Sequence, residues 1–103
     1  MEDLRQGLIV ISRAGRDKGR LFVVLGTSQD LILVADGRLR RVEKPKAKKS
    51  KHLEPLVFFE CRTLQKILDG EKVTNSEIRR MLSEYREKAE ENGGHAPAAE
   101  TGK

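Results

Sequence analysis

The sequence predicts an α+β chain: a small β-barrel over residues 1–55, a helical hairpin over 56–91 and a disordered tail over 92–103. Three observations carry this. Short apolar runs bounded by turn formers open the chain. The apolar period changes from strand-like to helical after residue 56. The last dozen residues are Gly, Ala, Pro and polar side chains.

The runs Leu8–Ile11, Leu21–Leu25 and Leu31–Ala35 are rich in β-branched and aromatic residues and read as three strands. Their near-continuous apolarity implies burial on both faces, as in a small closed barrel or a helix-covered sheet. Spacing of about ten residues favours an up-and-down barrel. Asp36-Gly37 reads as a two-residue hairpin turn into a fourth strand at Arg38–Val42, although Leu39 and Val42 fall on opposite faces unless a bulge intervenes near Arg40-Arg41. Glu43–Lys51 holds Pro45, five lysines and no apolar side chain larger than Ala47, so it reads as a mobile loop. A short fifth strand is expected around His52–Glu54.

Farther on, Val57, Cys61, Leu64 and Leu68 are spaced as one helical stripe, with Gly70 where a C-cap glycine belongs; Leu56–Phe59 also suits a strand. Thr74-Asn75-Ser76-Glu77 is a capping box, opening a helix whose apolar face is Ile78, Met81, Leu82, Tyr85 and Ala89. The short linker predicts an antiparallel hairpin.

The 103 residues carry 21 Lys+Arg against 16 Asp+Glu, a net charge of +5, and the surplus is segregated. Residues 1–54 hold 13 basic and 7 acidic side chains, whereas 55–103 hold 8 and 9. A basic half of this kind points to a polyanionic partner, nucleic acid above all. With aromatics at 4% and no Trp, a large aromatic-lined ligand pocket is not expected. The single cysteine, Cys61, excludes an internal disulfide or a Cys-based zinc site within one chain; it suits a reducing compartment and reads as a core residue. No apolar run reaches the roughly 18 residues of a membrane helix, and the N-terminus lacks a secretory signal layout, so a cytoplasmic location is expected.

Between the first two strands lies Arg13-Ala14-Gly15-Arg16-Asp17-Lys18-Gly19-Arg20. Gly15 and Gly19 permit a tight loop with bare backbone, and Arg13, Arg16, Lys18 and Arg20 surround it with phosphate-binding cations. It is not a P-loop, because the Gly-Lys-Ser/Thr ending is absent and a strand follows.

Gly7–Ser12 followed by Gly15–Val24 resembles a KOW motif, an apolar strand, a Gly-x-Asp-Lys-Gly-x loop and a second apolar strand, with Gly19 at its hallmark glycine. The continuation through Ala35–Val42, the lysine run and His52-Leu53-Glu54-Pro55 is similar to small bacterial KOW-domain RNA-binding proteins and to the archaeal and eukaryotic large-subunit ribosomal protein family numbered fourteen. The resemblance covers residues 5–55. It implies an SH3-like barrel that binds structured RNA, often ribosomal. By position, Arg16, Lys18 and Arg20 become loop contacts and Arg38, Arg40 and Arg41 a basic strand edge. The helical hairpin is outside the minimal motif.

The expected RNA-binding set is therefore Arg13, Arg16, Lys18, Arg20, Arg38, Arg40, Arg41, Lys44, Lys46, Lys48, Lys49 and Lys51, with Gly15, Gly19 and Gly37 as structural turns. The expected partners are RNA and ribosomal or other translation proteins, with no membrane, cofactor, metal or small-molecule substrate. The alternative is a protein-interaction module in a translation or transcription complex, anchored by Phe58, Phe59 or Tyr85, although these three also suit packing the hairpin onto the barrel. Phe22 reads as core. No catalytic constellation is expected: His52 and His95 are far apart in sequence, and Glu90-Glu91 is a solvated helix end.

Overall fold

A computed structural model describes residues 4–91. The expected tail, with His95, lies outside them. The fold is α+β, a five-stranded antiparallel sheet with two helices packed on it. The elements are β1 (Ile9–Ser12), β2 (Leu21–Ser28), β3 (Leu31–Ala35), β4 (Lys46–Lys49), a 3₁₀ turn (Ser50–His52), β5 (Leu53–Val57), α1 (Arg62–Leu68) and α2 (Asn75–Glu91).

The strand order is β4-β3-β2-β1-β5, with β4 and β5 at the two edges. The ladder does not close, because β4 and β5 do not pair with each other. Its faces still account for the continuous apolar runs. Ile9 and Val23 join Leu64, Ile67, Ile78, Met81, Leu82 and Tyr85 in one core beneath the helices. On the other face Leu8, Val10, Phe22, Val24, Ile32, Val34 and Leu53 form a second core. Among the described residues no helix contributes to that second core. Phe22 is fully buried there.

Three expectations are corrected. Arg38–Val42 is not a strand. The Asp36 carboxylate accepts the backbone N–H groups of Arg38 and Arg40, both at 2.9 Å, while Asp36 and Gly37 donate to the Arg40 carbonyl. The backbone is thereby used up in a turn, wider than a two-residue hairpin. The two-residue hairpin connection is instead Gln29-Asp30, between β2 and β3, with Gln29 at φ 57°.

The lysine run is not a loop. Lys46–Lys49 pairs antiparallel with β3, Ile32 opposite Lys48 and Val34 opposite Lys46. Pairing uses backbone groups and needs no apolar side chain, and lysines suit an edge strand because they discourage a further strand from adding. The third correction is to the boundary expected at 55: Val57, two residues past it, belongs to β5 opposite Ile9, as the strand reading of Leu56–Phe59 allows. The helical stripe therefore shortens to α1, with half-buried Cys61 at its N-cap and Leu68 exposed.

The caps are as expected. Gly70, at φ 79°, donates to Ile67, and Glu71 donates to Lys66, the paired bonds of a Schellman ending. Thr74 N–H donates to Glu77 Oε1 at 2.9 Å and Glu77 N–H to Thr74 Oγ1 at 3.1 Å. The Lys66 ammonium first, then the Thr74 N–H, holds the Glu77 carboxyl below its ordinary pKa. Ile78, Met81, Leu82 and Tyr85 of α2 are buried.

Candidate nucleic-acid interface

The loop between β1 and β2 is built from backbone bonds that its glycines make possible. Lys18 N–H donates to Gly15, Gly19 to Ser12 and Arg20 to Asp17, while Arg13 donates to the His52 carbonyl. Gly15 and Gly19 have φ of 79° and 88°, in the left-handed region that side chains disfavour. These turns aim the Asp17 carboxylate inward, where it is only 5% exposed.

Asp17 is the centre of the basic region. Arg40 donates to its Oδ2 at 3.1 Å, Lys48 Nζ lies 3.7 Å from the same oxygen, and Arg20 Nε lies 3.8 Å from Oδ1. One carboxylate thus draws together the end of the β1–β2 loop, the β3–β4 turn and the lysine strand. Cross-strand register explains Lys48. Opposite residues share a face, so Lys48 leaves β4 on the side of Ile32 and Val34. Its aliphatic stem stays buried, and its ammonium ends at Asp17 and at the Ala14 carbonyl, 3.3 Å away. Lys46, half-buried, is two residues along on the same face.

Asp36 repeats the device beside it. Its Oδ1 holds the turn, and its Oδ2 lies 3.8 Å from Arg20 Nη1. Arg20 therefore stands between two buried carboxylates. Arg16 and Lys18 extend from the loop tip, and Arg38 from the turn, exposed and without side-chain partners among the described residues. Cations outnumber carboxylates around this centre, so its field remains positive.

Not every expected residue joins the cluster. Arg13 pairs with Glu54 of β5 through Nε, 2.6 Å from Oε1, and through its Nη2. Arg41 faces Glu43 at 3.7 Å. The Asn75 amide donates to both Glu43 oxygens, at 3.0 and 3.1 Å, which with Arg41 keeps that carboxyl below its ordinary pKa. Lys49 and Lys51 are exposed, Lys49 off the Lys48 face, and Lys44 sits exposed before β4. Gly37, at φ 80°, does more than turn the chain. A Cβ there would lie 2.5 Å from the Asn75 carbonyl oxygen, so α2 docks directly on its backbone.

Sequence reasoning missed Asp17, Asp36 and Asn75 as organisers. The available signal, for Asp17 alone, was a lone acid inside a basic run. Of the three aromatic anchors considered for a protein partner, Tyr85 is buried and Phe59 packs edge-on against it with centroids 5.7 Å apart, leaving Phe58 exposed. Among the described residues no helix is long and apolar enough to cross a membrane, and no cluster of three or more His, Cys, Asp or Glu is placed to hold a metal. Comparison of the chain with protein-family models and with curated proteins finds no match.

Proposed function

We propose that this protein binds folded RNA, ribosomal RNA being the favoured target, through the Gly15–Gly19 loop, the Arg38–Arg41 turn and the β4 lysines. The observation that carries the reading is the convergence of these three segments on Asp17. They are separate in sequence, and a solubilising charge run would have no need of a common buried anchor. The strand order and the 3₁₀ turn linking the two edge strands support an SH3-like barrel of KOW type as the finer description of the fold.

Binding works by phosphate neutralisation with release of counterions. Fixed guanidinium groups supply bidentate geometry, and the glycine backbone lets phosphate approach closely. Selectivity comes from the shape of the RNA, because none of the three binding segments carries an aromatic side chain on which to stack a base.

With six phosphate contacts, the logarithm of the affinity for an RNA hairpin falls with log salt at a slope of roughly −4 to −5. Replacing Arg16 and Lys18 together by Ala lowers that slope by about 2, weakens binding at least tenfold and leaves the melting temperature unchanged, since neither side chain has a partner to lose. A salt-independent affinity, or an unaltered Kd for the double variant, refutes the mechanism.

A further inference from the structure

We infer that α2 takes part in binding by closing an arginine-lined cavity that holds one phosphate group of the RNA backbone. This rests on the polynucleotide reading and extends it to the helical half of the chain, which the charge segregation left without a role.

A cavity of about 140 Å³ lies where α2 meets the β3–β4 turn, lined by Arg20, Asp36, Arg38, Arg79, Ser83 and Arg86 among others. At ~30 Å³ per water it has room for a tetrahedral oxyanion of five heavy atoms. It is below the roughly 300 Å³ at which pockets for organic ligands begin. Four guanidinium groups and one carboxylate line it, an excess of three positive charges. The carboxylate is already engaged, Oδ1 with two backbone N–H groups and Oδ2 facing Arg20.

The arginines come from both halves of the chain. Arg79 and Arg86 are two helical turns apart on one stripe of α2, with Leu82 and Ser83 between them. Arg79 is held in place, Nη1 donating to the Gly37 carbonyl at 2.7 Å and Nη2 to Ser76 Oγ at 3.2 Å. That anchorage depends on Gly37, where a Cβ would come within 2.9 Å of Arg79 Cγ. Arg38 and Arg86 are exposed and have no side-chain partner among the described residues, so their donors are available. Arg20 joins this cavity to the Asp17 centre, facing Asp17 with Nε and Asp36 with Nη1. The two places form one continuous track.

The ligand chemistry follows from the donors. Guanidinium groups approaching from three elements suit an anion with several oxygens pointing in different directions. A phosphodiester has these, and a planar carboxylate offers only two.

The test uses the full chain and two probes. In the first arm, inorganic phosphate is titrated at constant ionic strength while the Nε–Hε signals of Arg38, Arg79 and Arg86 are followed by NMR. Saturable shifts are expected with phosphate and none with acetate at equal concentration; no shifts, or equal shifts with both, overturn the proposal. In the second arm, Arg38→Gln combined with Arg86→Gln is assayed against an RNA hairpin over a range of salt. The double variant should keep the parental melting temperature, lose the phosphate-induced shift at Arg79, weaken RNA binding about tenfold and lower the salt slope by about 1 to 2. RNA binding with unchanged affinity and slope sinks the cavity assignment and removes Arg38 from the proposed interface, and leaves the Gly15–Gly19 loop and the β4 lysines standing. Absence of RNA binding by the parent sinks both. Displacement of the RNA by polyglutamate at equal charge concentration also overturns it, in favour of an acidic protein partner.

Discussion

Replacing Asp17 with Asn keeps the side-chain volume and removes one charge from a place that is 5% exposed. At an effective dielectric constant of about 20, the gross attraction to Arg40 at 3.1 Å is about 5 kcal/mol, and to Lys48 at 3.7 Å and Arg20 at 3.8 Å about 4 kcal/mol each. Most of this does not survive as stability. Arg20 and Arg40 are 43% and 31% exposed, so water screens them, and burying the carboxylate costs several kcal/mol. Lys48, 9% exposed, is the partner that loses most. The net expectation is a loss of about 2–3 kcal/mol, below the ~3–5 kcal/mol for breaking a fully buried pair. At 4–8 °C per kcal/mol for a domain of this size, the melting temperature should fall by roughly 10–20 °C. Thermal unfolding followed by circular dichroism measures it. Combining Asp17→Asn with Lys48→Met separates this mechanism from a generic packing defect. If the charges are coupled, the double variant loses at least about 0.5 kcal/mol less than the sum of the two single variants. A melting temperature within a few degrees of the parent, or strictly additive losses, would refute the claim that Asp17 ties the three segments together.

Two backbone and core predictions stand beside this one. Gly19→Ala and Gly37→Ala both place a Cβ at positive φ, which costs about 1 kcal/mol, but the Gly19 methyl meets nothing within 4 Å whereas the Gly37 methyl would strike the Asn75 backbone at 2.5 Å. Denaturant titration should therefore show Gly37→Ala worse by a further ~1–3 kcal/mol, and equal losses would mean that α2 does not dock on Gly37. The buried Tyr85 hydroxyl has no partner among the described residues, and burial raises its pKa. The unfolded chain then releases the phenolic proton first, so stability declines as pH rises past the ordinary value near 10 and toward the folded one. Tyr85→Phe should match or exceed the parent at neutral pH and lack this alkaline component; parallel stability curves for the two between about pH 9 and 11 would contradict it.

The elements legible in the sequence were those whose signal is local. Apolar runs marked β1 to β3, a four-residue capping box marked the start of α2, and one glycine marked the end of α1. Those that escaped depend on distant partners. β4 is four residues of Lys and Ala, with nothing apolar to betray a strand; it exists because β3 offers an edge and Asp17 a counter-charge. Val57 is ambiguous because its spacing of four from Cys61 imitates a helical stripe, while its backbone pairs opposite Ile9. The mismatch between Leu39 and Val42 was a genuine warning. Leu39 ends up exposed in a turn, and the Val42 N–H donates to Asn75 at 2.8 Å. The basic residues were readable as a set, but their division into clustered and separately paired members was not, because Glu54 and Glu43 lie on other segments.

On the proposed RNA-binding reading, a buried acid at the heart of a cationic surface looks at first like a loss of affinity, since Asp17 and Asp36 each cancel one of the charges that would attract phosphate. The energetics of ordering reverse that judgement. Arg and Lys side chains carry about 2 kcal/mol of rotamer entropy each, and like charges left alone splay apart into water. An acid placed beneath them meets part of that ordering cost during folding, when a buried carboxylate has three cations to share, and not at the moment of binding. Arg40 is then held by Asp17, and Lys48 by Asp17 together with the Ala14 carbonyl. The free arginines and lysines at the rim, Arg16, Lys18 and Arg38, supply long-range attraction, while the anchored ones supply geometry. Attraction alone would bind any polyanion. A fixed pattern of donors spanning a loop, a turn and an edge strand favours one whose phosphates already stand at matching positions, which is a property of folded RNA and not of a flexible acidic chain.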